Sequence, residues 1–103
     1  MTTYNYPPSV GLSNLPWKAK DDDVYRFIER VAKSIGVEIA EQKDGTSDIK
    51  IPTQMYQGQK QLRGYAFIRP RKLTDITTLA EALDDKVFFA NPMDCVITRA
   101  FEA

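Results

Sequence analysis

Two hydrophobic periods alternate along the chain, and their boundaries define its elements. Val10 and Leu12 flank Gly11 and are followed by Ser13, a period of two that predicts a half-buried strand over Val10–Leu15, ended by Pro16. Val24, Phe27, Ile28, Val31 and Ile35 then recur every three or four residues up to Gly36, which predicts an amphipathic helix. Asp21, Asp22 and Asp23 supply its N-cap and a negatively charged first turn. Two short alternations compete in the next stretch, Val37 with Ile39 and Ile49 with Ile51. We favour Asp48–Ile51 as the second strand, with KDGTS before it as a turn and MYQGQKQ after Pro52 as a polar loop.

Arg63–Arg69 is the strongest strand pattern, rich in good strand formers and stopped by Pro70. Leu73, Ile76, Leu79, Ala80 and Leu83 predict a second helix, with Thr74 as its capping candidate and an end near Asp84 or Asp85. Val87–Ala90 reads as a short apolar strand, Asn91 and Pro92 as a turn, and Cys95–Phe101 as the last strand. Residues 1–8 read as a flexible tail before one domain over 9–103. The order strand, helix, strand, strand, helix, strand predicts an α+β fold, a four-stranded antiparallel sheet with both helices on one face.

Such a sheet leaves its other face open. With Gly64, Ala66 and Ile68 inward, Arg63, Tyr65, Phe67 and Arg69 point to that face. Two neighbouring exposed aromatics framed by arginines call for a partner, and bases stack on such rings while guanidinium groups meet phosphate. The charge pattern agrees. The net charge is zero, yet residues 49–74 carry Lys50, Lys60, Arg63, Arg69, Arg71 and Lys72 and no acid, a locally positive segment. The alternative is a solvated surface that happens to be basic.

RGYAFIRP at 63–70 resembles the octapeptide of the RNA recognition motif (RRM) at every position but the last, where Pro70 replaces an aromatic. VGLSNL at 10–15 is similar to the family's hexapeptide, except for Gly11 in its aromatic position. The resemblance implies a ferredoxin-like βαββαβ sandwich that binds single-stranded RNA. Tyr65 and Phe67 would stack on bases, Arg63 would contact phosphate, and Asn14 and Arg69 would assist. In the last strand the resemblance places Ile97 and Ala100 toward the core, Val96 and Thr98 toward RNA, and Arg99 and Phe101 beyond. LPW also resembles the quasi-RRM branch, in which a tryptophan at this place contacts RNA. Trp17 is then an RNA contact or a hydrophobic plug over the end of the first helix, and we favour the plug.

Three departures from the family carry consequences. Gly11 removes a stacking platform, Pro70 thins the core and ends its strand early, and the connection VEIAEQKDGTS is long. FFAN at 88–91 is similar to the family variant that captures a tryptophan peptide, though that variant's arginine is missing. Protein binding in a ribonucleoprotein complex is therefore the alternative function, with the acidic helical face as a docking surface for a protein partner.

An enzyme is not expected. Without histidine there is no Ser-His or Cys-His pair, and no phosphate loop or paired-carboxylate motif stands out. Cys95 alone forms neither an internal disulfide nor a zinc site, and reads as a small buried residue. No catalytic residue, cofactor or metal is implied. Apolar runs fall far short of the roughly 20 residues that span a bilayer, and no export signal begins the chain. A nuclear or cytoplasmic RNA-binding protein is the expectation, with an organelle still open.

Overall fold

The computed structural model describes residues 8–89 and 95–103. The predicted tail falls almost wholly outside them, as do Ala90 and the Asn91–Pro92 turn. The described elements are β1 (Val10–Ser13), α1 (Asp21–Ser34), β2 (Ile49–Lys50), β3 (Thr53–Tyr56), β4 (Gln59–Leu62), β5 (Ala66–Ile68), a 3-10 turn (Leu73–Asp75), α2 (Ile76–Leu83), β6 (Val87–Phe89), β7 (Cys95–Ile97) and β8 (Arg99–Glu102). This is an α+β protein with two helices and a four-stranded antiparallel sheet, in the order β2-β5-β1-β8. Two further hairpins, β3–β4 and β6–β7, extend from it.

One core joins these elements. Val10 and Leu12 of β1, Ile49 of β2 and Ala66 and Ile68 of β5 are buried with Val24, Phe27, Ile28 and Val31 of α1 and Ile76, Leu79 and Leu83 of α2. Apolar residues spaced at three and four put one stripe of each helix on the sheet, as period-2 alternation puts one face of each strand on the helices. The start of α1 differs from the expectation. Its N-cap is Lys20, which makes no side-chain cap, and the three aspartates lie inside the first turn, where they complement the helix dipole. Its end is a Schellman turn: Gly36, at φ 73°, donates its N–H to Lys33, and buried Val37 donates to Ala32.

The long connection after α1 uses both of the competing alternations. Ile39 bridges to Pro70, Ala40 N–H donates to Arg69 O, and Arg69 N–H donates to Asp48 O. These bonds carry the sheet edge past the point where Pro70, buried and without an N–H, could sustain a regular ladder. The regular strands are accordingly shorter than predicted, Ile49–Lys50 and Ala66–Ile68. The polar loop after Pro52 is instead the β3–β4 hairpin. Gln57 and Gly58 both have positive φ, 51° and 77°, the two-residue turn that matches strand twist.

Two assignments near the second helix, one apolar and one capping, are corrected. Leu73 is two-thirds exposed because it lies in the 3-10 turn, outside the apolar stripe of α2. Asp75, not Thr74, is the residue preceding the helix, and it makes no side-chain cap.

The predicted last strand is two strands that meet at Thr98. β7 pairs with β6, and β8 pairs with β1 through Leu12↔Ala100 and Gly11↔Phe101. That register sets the alternation. Val96, Thr98 and Ala100 face inward, while Cys95, Ile97, Arg99 and Phe101 face outward. The assignments of Ile97 to the core, and of Val96 and Thr98 to the binding face, are therefore reversed, because a strand cannot turn two residues of opposite parity to one side. Cys95 is exposed for the same reason.

Thr98 is fully buried, and its hydroxyl, 2.9 Å from Leu83 O at the end of α2 and 3.0 Å from Lys86 O, gives its one hydrogen to a carbonyl of this turn. Thr98→Val, which keeps the shape and removes the donor, is expected to cost about 1–3 kcal/mol. Urea unfolding checks this, through a lower midpoint at unchanged slope.

Candidate functional site

The open face of the sheet is built from one row of cross-strand partners. Lys50 of β2 stands opposite Phe67 of β5, Phe67 opposite Gly11 of β1, and Gly11 opposite Phe101 of β8. Tyr65, just before β5, stands edge-on to Phe67 with ring centroids 5.7 Å apart. Tyr65 is 37% exposed and Phe101 48%, so two of the three rings are open to an incoming ligand, and Phe67 is half-buried between them.

Gly11 explains how the third ring reaches this face. A Cβ built on Gly11 would lie 2.3 Å from Phe101 Cζ and 2.4 Å from Cε2, so the Phe101 ring lies across the β1 backbone where a side chain would stand. The aromatic missing from β1 is supplied from the neighbouring strand. A glycine inside a strand that otherwise alternates cleanly is the sequence signal for such close approach, but the signal does not say which ring approaches. Gly11→Val is expected to displace Phe101 while leaving the sheet folded, visible as chemical-shift changes concentrated at Phe101 and Phe67.

The cations are less free than their sequence density suggests. Arg69 Nε lies 2.7 Å from Asp48 Oδ2 with its N–H off line, an ion pair rather than a linear hydrogen bond. Arg71 meets Glu38 at 3.0 Å and Glu41 at 3.7 Å, Lys50 is 4.0 Å from Asp48, and Lys60 is 2.8 Å from Asp21. Arg99 is held between Asp84 and Asp85, at 3.5 and 2.7 Å. The acidic helix ends and loops thus neutralise much of the basic segment. Among the described residues, exposed Arg63 beside Tyr65 has no carboxylate within 4 Å, which leaves it the most available phosphate ligand at the platform.

The remaining predicted site residues have varied places. Asn14, at φ 64°, ends β1 and donates from Nδ2 to Ile97 O at 2.7 Å, so half of its amide ties β1 to β7. Thr98 lies in the core, away from the platform. Trp17 is 52% exposed with Lys18 Nζ 4.9 Å from its ring centroid, and does not plug the helix end. It borders a shallow cleft of about 400 Å³ with Asn14, Pro16 and Val96.

Lys60 and Asp21 join the β3–β4 hairpin to the start of α1. The hydrogen bond from Lys60 holds the Asp21 carboxyl below its ordinary value of 3.8, and the same bond raises the Lys60 ammonium above 10.5. The tie is complete between those values. It weakens as pH falls below the ordinary carboxylate range and Asp21 is protonated, and again as pH rises through the raised lysine value. Protection of the hairpin amides, corrected for intrinsic exchange, is expected to fall in the wild type as pH drops below the ordinary carboxylate range, and to lose that dependence in Lys60→Gln.

Comparison with protein-family models, with curated proteins and with solved structures found no match. The functional reading therefore rests on the residues and their geometry. Among the described residues, no group of three or more Cys, Asp or Glu is placed to hold a metal ion. No described helix is long and apolar enough to cross a membrane.

Proposed function

We propose that this chain is an RRM of ferredoxin-like topology that holds single-stranded RNA on its open sheet face, in RNA processing or regulation. The observation that carries the reading is the aromatic row: Tyr65, Phe67 and Phe101 on one uncovered surface, with the Phe101 ring seated over Gly11. Flat rings on an open sheet suit unstacked bases, which every nucleotide of a single strand can offer. Arg63 supplies a phosphate contact beside them. Arg99 and Arg69, already paired with aspartates, shape the rim.

Titration of labelled protein with short single-stranded RNA pools tests this. Shift changes centred on Arg63, Tyr65, Phe67 and Phe101 are expected. No changes at millimolar RNA in low salt would overturn it.

A second reading is protein binding, favoured by the β6–β7 hairpin. Val87, Phe89 and Ile97 are each more than half exposed on its outer face. Exposed apolar surface of this kind suits protein side chains better than phosphate. Selective broadening of these residues by a partner, with Tyr65 and Phe67 unaffected, would favour it.

A further inference from the structure

We propose that the α1–β2 connection, residues 37–48, is an internal competitor for phosphate: it holds the cations at one edge of the platform and so limits sequence-independent attraction of a polyanion. The inference rests on the reading of the sheet face as an RNA site.

The connection is fixed along the sheet edge beside the end of β5. Ile39 bridges to Pro70, Ala40 N–H donates to Arg69 O, and Asp48 N–H donates to Ala40 O, so the segment folds back on itself there. Its far end is a tight turn, in which Gln42 N–H donates to Thr46 O and Thr46 N–H to Asp44 Oδ1. Ser47 N–H donates to the Tyr25 hydroxyl at 2.9 Å, which ties the turn back to α1.

All three cations of this edge meet the connection. Lys50, the cross-strand partner of Phe67, donates from Nζ to Gln42 Oε1 at 2.9 Å and lies 4.0 Å from Asp48. Arg69 is held by Asp48, and Arg71 by Glu38 and Glu41. Residues 37–48 carry four carboxylates, Glu38, Glu41, Asp44 and Asp48, and one ammonium, Lys43, a net charge of minus three. Three cations thus face a segment of equal and opposite charge.

A carboxylate and a backbone phosphate are both oxyanions that accept from guanidinium and ammonium donors, so one can stand where the other would bind. The two kinds of holder differ. Glu38 and Glu41 are exposed, and exposed ion pairs exchange readily with other anions. The Asp48 side chain is largely buried, and its backbone is bonded on both sides, to Ala40 O and from Arg69 N–H. Asp48 therefore stays in place when a strand arrives, and phosphate gains little from Lys50 and Arg69. Affinity is left to the rings, which require unstacked bases.

Fluorescence anisotropy of the full chain with single-stranded U10 over a range of salt tests this, with Asp48→Asn as the main variant. The substitution keeps the shape and removes the charge, releasing Lys50 and Arg69. Affinity is expected to rise at least about fivefold at roughly 50 mM salt, and the slope of log affinity against log salt to steepen by roughly 0.7 for each cation released. Glu81→Gln, at an exposed position of α2, removes the same charge away from the sheet and should change neither. The gain should vanish when Asp48→Asn is made together with Lys50→Gln and Arg69→Gln. No gain, an equal gain in Glu81→Gln, or a gain that survives loss of both cations overturns the proposal and leaves the sheet-face reading in place. Wild-type protein that binds no U10 even in low salt overturns both. Circular dichroism identifies a misfolded variant. In that event Glu38→Gln with Glu41→Gln carries the test through Arg71: the slope is expected to steepen by roughly 0.7, and an unchanged slope overturns the proposal.

Discussion

Phe88→Ala is expected to remove about 3–5 kcal/mol of stability, the largest effect of any single truncation considered in this protein. Phe88 is the largest of the fully buried side chains, 1% exposed, and its ring meets Phe27 of α1 edge to face at 5.3 Å. It alone anchors β6 from the inside, since its neighbours Val87 and Phe89 face outward. Truncation therefore leaves a cavity between the β6–β7 hairpin and α1 that neighbouring side chains cannot fill without moving the hairpin. Domains of this size are stable by about 5–15 kcal/mol, so the variant should unfold at tens of degrees lower temperature or fail to fold at ambient temperature. A melting temperature within a few degrees of the wild type would show that Phe88 is not the anchor described. Phe89→Ala, on the exposed side of the same strand, serves as the control and should change stability by less than about 0.5 kcal/mol.

Tyr65→Ala combined with Phe67→Ala is expected to weaken single-stranded RNA binding by at least about tenfold. Base–aromatic stacking is worth about 1–3 kcal/mol per base, and each 1.4 kcal/mol is a factor of ten. The two rings touch, so their losses will not add. Phe101→Ala should cost about five- to 150-fold by itself if its ring, which lies over β1, stacks a base of its own. The combination Gly11→Phe with Phe101→Ala puts a ring back on β1, where the space over the backbone is then vacant, and should recover part of the loss. Equal affinities for wild type and all variants would remove the platform from the mechanism. Neither truncation is expected to abolish folding, since Tyr65 and Phe101 are exposed and Phe67 faces away from the core.

Sequence patterning alone located α1, α2 and the inward residues of β1 and β5. In these segments hydrophobic period and stop signals agree: the stripe from Val24 to Val31 ends at Gly36, and Ala66 and Ile68 alternate with polar or aromatic neighbours. The same alternation put Tyr65 and Phe67 on the open face. Local pattern suffices there because each residue's environment is fixed by its own element.

What the sequence could not determine was register between distant strands. The parity of β7 and β8, and with it the burial of Thr98 and the outward turn of Ile97, follows from Ala100 pairing with Leu12 far away in the chain. Phe101 joined the platform because Gly11 leaves room beneath its ring, a fact that belongs to two strands at once. Charge density likewise suggested a locally positive segment over 49–74, and only the folded chain brought Asp21, Glu38 and Asp48 against Lys60, Arg71 and Arg69. Periodicity encodes which face of an element is apolar. It carries no information on which partner meets that face, and the partner chose the rings, the ion pairs and the shape of the surface that this protein presents.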